Sequence, residues 1–147
     1  MNATPLQRSR RRRRAGGGEM SVLIVALDAA TPAEVSDAEV LVVAPALNSW
    51  LRHWLSDEDA ARRRAEERVV AWLDRLERSG VHAHGRVGDP DPLQAIADAL
   101  TTFPANEIVI AGQSQRSTRL VDELVSRARN RFGLPVLVSG KSLPSAA

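Results

Sequence analysis

The sequence predicts an α/β fold in which an open sheet of five parallel strands carries helices on both faces. Five short apolar runs recur along the chain, helical patterns separate most of them, and all except the weaker third run lack polar alternation. Continuous Val, Ile and Leu content is typical of parallel strands that are covered on both faces. The predicted strands are Val22 to Leu27, Val40 to Ala44, the weaker Val81 to Val87, Glu107 to Ala111 and Pro135 to Ser139.

The connection between the first two strands is short. Only Ala29 to Glu39 are available, which is near the lower limit for a parallel crossover. Thr31 followed by Pro32 marks a helix start, but the turn-forming Ser36 and Asp37 leave room for one or two turns. We therefore expect the first helix to be shortened.

The second connection predicts a long amphipathic helix. Ser56 is its candidate N-cap, acidic residues follow in the first turn, and Gly80 ends it. The apolar residues recur at steps of three and four, which builds one buried stripe. The stripe consists of Ala61, Ala65, Val69, Trp72, Leu73 and Leu76.

Two further helices follow in the same way. Asp91 is an N-cap candidate and Pro92 occupies the first helical position, where the missing N–H costs nothing. The last helix ends where Gly133 and Pro135 interrupt the pattern. Strands that alternate with helices in this order are the signature of an α/β domain.

Charge divides the chain into a basic tail and a mildly acidic body. Six of the 20 basic residues, but only one of the 18 acidic ones, lie in residues 1–19, so residues 20–147 carry a net charge of −3. We expect 1–19 to be a disordered Arg- and Gly-rich tail, or a non-native extension upstream of a start at Met20. Residues 20–141 then form the α/β domain, and 142–147 a flexible C-terminus.

Composition also limits the partners and the compartment. A nucleic-acid partner would be held only weakly, through the tail, because the body offers no excess of positive charge. The apolar run Val22 to Leu27 is too short for a signal core, and no run approaches a membrane span. Cysteine is absent, which excludes disulfides and thiolate chemistry. We expect a cytoplasmic protein with no membrane partner.

Candidate site residues lie where the predicted strands end. Ligands of open parallel sheets bind beyond the carboxyl ends of strands, at the point where the crossovers change faces. Those ends are Asp28, Pro45, Gly88 and Gly112, of which only Asp28 is charged. Its carboxylate either accepts hydrogen bonds from an exocyclic amine or a ribose hydroxyl, or caps the short turn near Thr31.

The polar loop after Gly112 is the second candidate. Glycine allows another group to approach the backbone closely, and Gln113 and Ser117 offer an amide and a hydroxyl before a helix N-terminus. The loop suits a phosphate, although it lacks the P-loop pattern, and it equally suits a simple helix cap. His82 and His84 share one face of a strand, but no third ligand is near, so we expect no metal. No motif indicates a catalytic set, so we expect no enzyme.

With the strands placed, the chain resembles the universal stress protein family of Rossmann-like domains over most of residues 20–139. The segment VLIVALD, Val22 to Asp28, is similar to a first strand that ends in an aspartate touching adenine. The order of EVLVVAPAL, GDPDPLQAI, EIVIAG and LPVLVS is similar to the rest of the family's pattern. The resemblance implies a homodimer, and a cofactor site for ATP or AMP at Asp28, Pro45, Gly112, Gln113 and Ser117.

The sequence departs from the glycine motif of the ATP-binding members. Those members carry G-x-x-G, nine further residues and then G-[ST]; here Gly112 matches the first glycine and Gln115 stands at the second. The closing pair falls near Asp122 and Glu123, whose carboxylates would repel a triphosphate. We therefore expect a stress-response regulatory domain with a degenerate adenine-nucleotide groove. The alternative is a protein interaction module on the same fold that binds a regulatory partner and no nucleotide.

Overall fold

A computed structural model describes residues 20–29, 35, 37–47, 58–112 and 118–139. The tail 1–19, the C-terminus 142–147 and most of the predicted first helix lie outside the described residues, so those expectations stay predictions. The elements are β1 Met20–Ala26, β2 Ala38–Pro45, α1 Glu58–Arg78, β3 Ala83–Gly88, α2 Pro92–Thr102, β4 Glu107–Ala111, α3 Thr118–Phe132 and β5 Val136–Ser139.

The five strands form one parallel sheet in the order β3-β2-β1-β4-β5. This confirms the predicted fold class, and each strand lies within two residues of its predicted bounds at either end. The register places Val22, Val40 and Glu107 on one level, with the strands running together toward Ala26, Pro45 and Ala111. The carboxyl ends of all the strands therefore meet at one edge of the sheet.

Helices cover both faces of the sheet, as predicted. Alternate side chains of the central strands separate into two buried clusters because successive strand residues point to opposite faces. One cluster joins residues such as Ile24 and Val42 to the apolar stripe of α1. The other joins residues such as Leu23 and Ile110 to α2 and α3. Continuous apolar runs are thus explained by burial on both sides.

The predicted helix ends match the local geometry at Gly80, Asp91 and Gly133, whereas the N-cap candidate Ser56 lies outside the described residues. Asp91 has extended backbone angles, and its carboxylate accepts a hydrogen bond from the N–H of Leu93 at 3.1 Å, so it caps α2. Gly80 and Gly133, which follow α1 and α3, have φ angles of +83° and +66°. This left-handed conformation suits glycine, and it lets the chain turn back into the next strand.

The described part of the chain contains no helix that is both long enough and apolar enough to span a membrane.

Candidate functional site

The change of face occurs between β1 and β4, which are neighbours in the middle of the sheet. The chain leaves β1 on the side of α1, because the carbonyl of Asp28 accepts a hydrogen bond from Trp72 of that helix. The chain leaving β4 leads to α3 on the opposite face. The two exits therefore diverge and leave a crevice, which is where open α/β sheets bind ligands.

Asp28 and Gly112 flank this crevice. The last residues of the two strands, Ala26 and Ala111, are paired, and the N–H of Leu27 donates to the carbonyl of Ala111 at 2.9 Å. Asp28 and Gly112 each follow within two residues of that pair. The two positions lie close together at this edge of the sheet, as the sequence analysis expected. Their role in binding a ligand remains a prediction.

The surroundings of Gly112 leave little space for a side chain. A Cβ atom at this position would lie 3.3 Å from Leu27 Cδ1 and 3.4 Å from Val121 Cγ2. The contact with Val121 is an ordinary van der Waals distance, and the contact with Leu27 would require its side chain to shift by a few tenths of an ångström. Gly112 therefore lies where Leu27 and α3 approach each other closely.

The remaining predicted site residues divide into two groups. Pro45 ends β2, one strand away from the crevice, and is buried. Its carbonyl oxygen accepts a hydrogen bond from the Nη2 of Arg68. Gln113 and Ser117 lie outside the described residues, so their part in the site stays a prediction.

Three side chains of α1 that the sequence analysis did not select reach this edge of the sheet. Arg68 donates from Nε to the carbonyl of Ala26 at 3.1 Å, in addition to its bond with Pro45. The indole Nε1 of Trp72 donates to the carbonyl of Asp28 at 2.8 Å. Arg75 donates to the carbonyl of Ala29.

The pKa of Arg68 is affected by a charge at the crevice. Burial lowers the pKa of its guanidinium, the nearby charge of Arg64 lowers it further, and the carboxylate of Asp28 opposes both effects. The charge of Asp28 is therefore partly balanced from the side of α1. A crevice with such a balance does not repel an anionic ligand as strongly as an isolated carboxylate would.

A sequence signal for these residues existed. Arg68 lies three residues after Ala65 and four before Trp72, so helical periodicity places it on the same side as the buried stripe. Charged residues are rarely buried without a partner. An arginine at the margin of a buried stripe thus indicates acceptors on the facing element, here the strand-end carbonyls.

An apolar cavity of about 370 Å³ adjoins the crevice on the side of α2 and α3. Leu27, which directly precedes Asp28, forms part of its wall. Arg127 and Glu123 of α3 stand at its border and pair at 2.8 Å. The lining residues are Leu27, Leu47, Asp91, Pro92, Leu93, Val121, Glu123, Leu124 and Arg127.

A second cavity of about 380 Å³ lies between the start of α1 and the end of β3. Its wall includes three carboxylates, from Glu58, Asp59 and Asp89, and one guanidinium, from Arg62. This excess of negative charge disfavours a phosphate. The apolar cavity carries less charge, with the two carboxylates of Asp91 and Glu123 against the guanidinium of Arg127.

The histidine pair at the start of β3 does not extend into a metal site in the described ranges. No group of three or more His, Asp or Glu side chains there could hold a metal ion. His82 and His84 do share a face, as predicted, and their ring centroids are 5.3 Å apart. Both side chains are exposed, at the β3 edge of the sheet.

Comparison with solved structures identifies the fold. The chain is similar to a universal stress protein of Arabidopsis thaliana with AMP bound, with a TM-score of 0.55 and 12% identity over 87% of this chain and 95% of that one. It is also similar to a universal stress protein in complex with cAMP, with a TM-score of 0.53 and 15% identity over 81% and 95%. No protein-family model and no curated protein matches the sequence. The resemblance drawn from the sequence is thus confirmed for the fold: this chain has the α/β fold of the universal stress proteins.

Proposed function

We propose that this chain is a regulatory domain of the universal stress protein type that binds an adenine mononucleotide weakly in the crevice between β1 and β4. The observation that carries the proposal is the position of Asp28 at the change of face, beside Gly112 and directly after Leu27, which lines an apolar cavity. Two solved structures of the same fold hold AMP and cAMP, which supports this ligand class.

The cavity and the carboxylate offer complementary chemistry. Small-molecule sites are mostly apolar, with a few polar groups that fix orientation. The walls formed by Leu27, Leu93 and Leu124 suit a flat base, and the carboxylate of Asp28 can accept from an exocyclic amine or a ribose hydroxyl. A carboxylate whose charge is partly offset by Arg68, close to an apolar cleft, favours a ligand that carries both a flat apolar ring and hydrogen-bond donors.

The charge around the cavity favours a ligand with few phosphates. Asp122 and Glu123 are exposed on α3, and Glu123 and Asp91 both contribute to the cavity wall. Of the nearby cations, Arg127 already pairs with Glu123. We therefore expect AMP and cyclic AMP to bind more tightly than ATP, which carries additional negative charge.

Thermal unfolding with AMP, cyclic AMP, ADP and ATP tests this proposal. A ligand at one hundred times its dissociation constant should stabilise the fold by about 2.7 kcal/mol. Asp28→Ala should abolish the shift, whereas Asp98→Ala should preserve it, since Asp98 is exposed on α2 and contacts only its own helix in the described bonds. A shift that survives Asp28→Ala would remove Asp28 from the site.

A protein interaction module on the same fold is the second candidate. The hydrogen bonds of Arg68 favour it, because they already satisfy the carbonyls of Ala26 and Pro45 at the ends of β1 and β2. The exposed carboxylates of Asp122 and Glu123 favour it too, because negative charge repels the phosphates of a nucleotide. No thermal shift with any of the four nucleotides would select this candidate, with a regulatory protein as the partner.

We further propose a cytoplasmic homodimer without catalytic activity. Leu137 on the edge strand β5 is 50% exposed, and a second copy would cover it. Leu137→Lys should therefore shift the mass measured by light scattering from dimer toward monomer.

The absence of catalysis is tested by incubating the protein with AMP, cyclic AMP and ATP, whose amounts should stay unchanged. Nucleotide turnover that stays with the wild-type protein through purification would contradict the absence of catalysis.

A further inference from the structure

One face of α1 holds the chain that leaves β1. Arg68, Trp72 and Arg75 donate to the carbonyls of Ala26, Asp28 and Ala29, in the same order along both segments. Spacings of four and three residues place the three donors on one side of the helix. The rise from Arg68 to Arg75 is about 10 Å. We call these three residues the α1 clamp.

The α1 clamp is more than a by-product of core packing. The apolar stripe of α1, with Ala65, Val69 and Leu76, already buries the helix against the sheet. The guanidinium of Arg75 lies 5.1 Å from the ring centre of Trp72, so the two donors also support each other. Trp72 is fully buried, and a buried indole N–H requires an acceptor, which here is the backbone of the candidate binding residue.

We propose that the α1 clamp positions Asp28 for the ligand. It fixes the backbone on both sides of the carboxylate, from Ala26 to Ala29, and none of its three members needs to touch the ligand. They are thus positioning residues, and the effect on affinity rests on the proposed function. The mechanical part of the proposal, that the clamp orders this segment, does not depend on any ligand.

The first test is amide hydrogen exchange measured by NMR on the full chain. Trp72→Phe removes the indole donor, and Arg75→Gln leaves only an amide whose Nε2 lies two bonds short of the Nη2 that donates to Ala29. Arg78→Gln is the matched control, because Arg78 is exposed on the same helix and pairs with Asp74. In the first two variants, the amides of residues 27–29 should exchange roughly tenfold faster. The amide of Val42 in the buried part of β2 should keep its rate. A general loss of stability would accelerate both.

The second test measures cyclic AMP binding to the same variants. Trp72→Phe and Arg75→Gln should weaken binding about tenfold, the effect of losing one hydrogen bond to a positioned group, and Arg78→Gln should not weaken it. In a background with Trp50→Phe and Trp54→Phe, the ligand should also change the fluorescence of Trp72, the remaining indole. Arg75→Gln keeps the buried ring, so it decides the result if Trp72→Phe does not fold.

The two tests separate the two proposals. If the wild type binds no nucleotide, the proposed function fails, and hydrogen exchange alone decides the clamp. Unchanged exchange at residues 27–29 in both variants, or equal acceleration at Val42 or in Arg78→Gln, would overturn the clamp. Faster local exchange together with unchanged affinity for a ligand that the wild type binds would overturn its positioning role.

Discussion

The close approach of β3 to α1 makes Gly85→Ala a sharp test of the packing that holds α1 in place. A Cβ atom at Gly85 would lie 2.5 Å from Val69 Cγ1 and 3.1 Å from Leu73 Cδ1. Carbon atoms in contact normally lie about 3.5–4.0 Å apart, so one element must move by roughly 1 Å. Val69 cannot swing away, because a β-branched side chain in a helix has one strongly preferred rotamer.

The magnitude follows from overpacking. Inserting a methyl group into a well-packed core costs about 1–3 kcal/mol. We therefore expect Gly85→Ala to lower the free energy of unfolding by about 2 kcal/mol, and the urea midpoint by about 1 M. The φ angle of Gly85 is not in the left-handed region, so the alanine adds no backbone strain of that kind.

A double-mutant cycle provides the control. Val69→Ala removes the clashing methyl group, so adding Gly85→Ala in that background should be neutral or stabilise the fold by a few tenths of a kcal/mol. Urea denaturation of the four proteins measures the coupling, which should favour the double variant by about 2 kcal/mol. Additive effects of the two substitutions, or an unchanged midpoint for Gly85→Ala alone, would refute the close packing of β3 on α1.

Three further predictions concern single features of the chain. Asp91→Ala removes the cap of α2 and should cost about 1 kcal/mol of stability in urea denaturation; no loss would show that the bond to Leu93 contributes nothing. Gly133→Ala should lower the free energy of unfolding by about 1 kcal/mol, and only through its positive φ angle, because no atom lies within 4 Å of the new Cβ. Gly133→Asn should lower it less in the same urea denaturation, and equal losses for the two variants would point to a steric cause. Deleting residues 1–19 should eliminate retention on DNA at low salt, and retention by the truncated chain would contradict an acidic, non-binding body.

The sequence predicted the fold well because its signals are local. Apolar runs of five to seven residues identify strands, and Asp91, Gly80 and Gly133 mark helix ends through the backbone conformations that they favour. These features act within a few residues, so a single sequence is enough to find them. The strand ends that form the crevice could be inferred for the same reason.

The polar contacts of the site could not be inferred in the same way. The bonds from Arg68 to Ala26 and from Trp72 to Asp28 join residues more than forty positions apart. Trp72 fits the apolar stripe without its N–H, and Arg68 resembles the many other arginines of α1. Which donor meets which carbonyl depends on how far α1 lies along the sheet, and that distance is set by the tertiary packing.

The same polar contacts explain why α1 has one position on the sheet. Its apolar stripe repeats every three or four residues, so a shift by one turn would still bury apolar groups. A shift in one direction would place Arg68 in the fully buried position of Trp72, where an unpaired cation costs several kcal/mol. A shift in the other direction would place Leu76 there and leave the strand-end carbonyls without their donor, at about 1–3 kcal/mol for each buried group. The apolar stripe therefore attaches α1 to the sheet, whereas Arg68 and Trp72 select the register that brings the helix to the Asp28 segment.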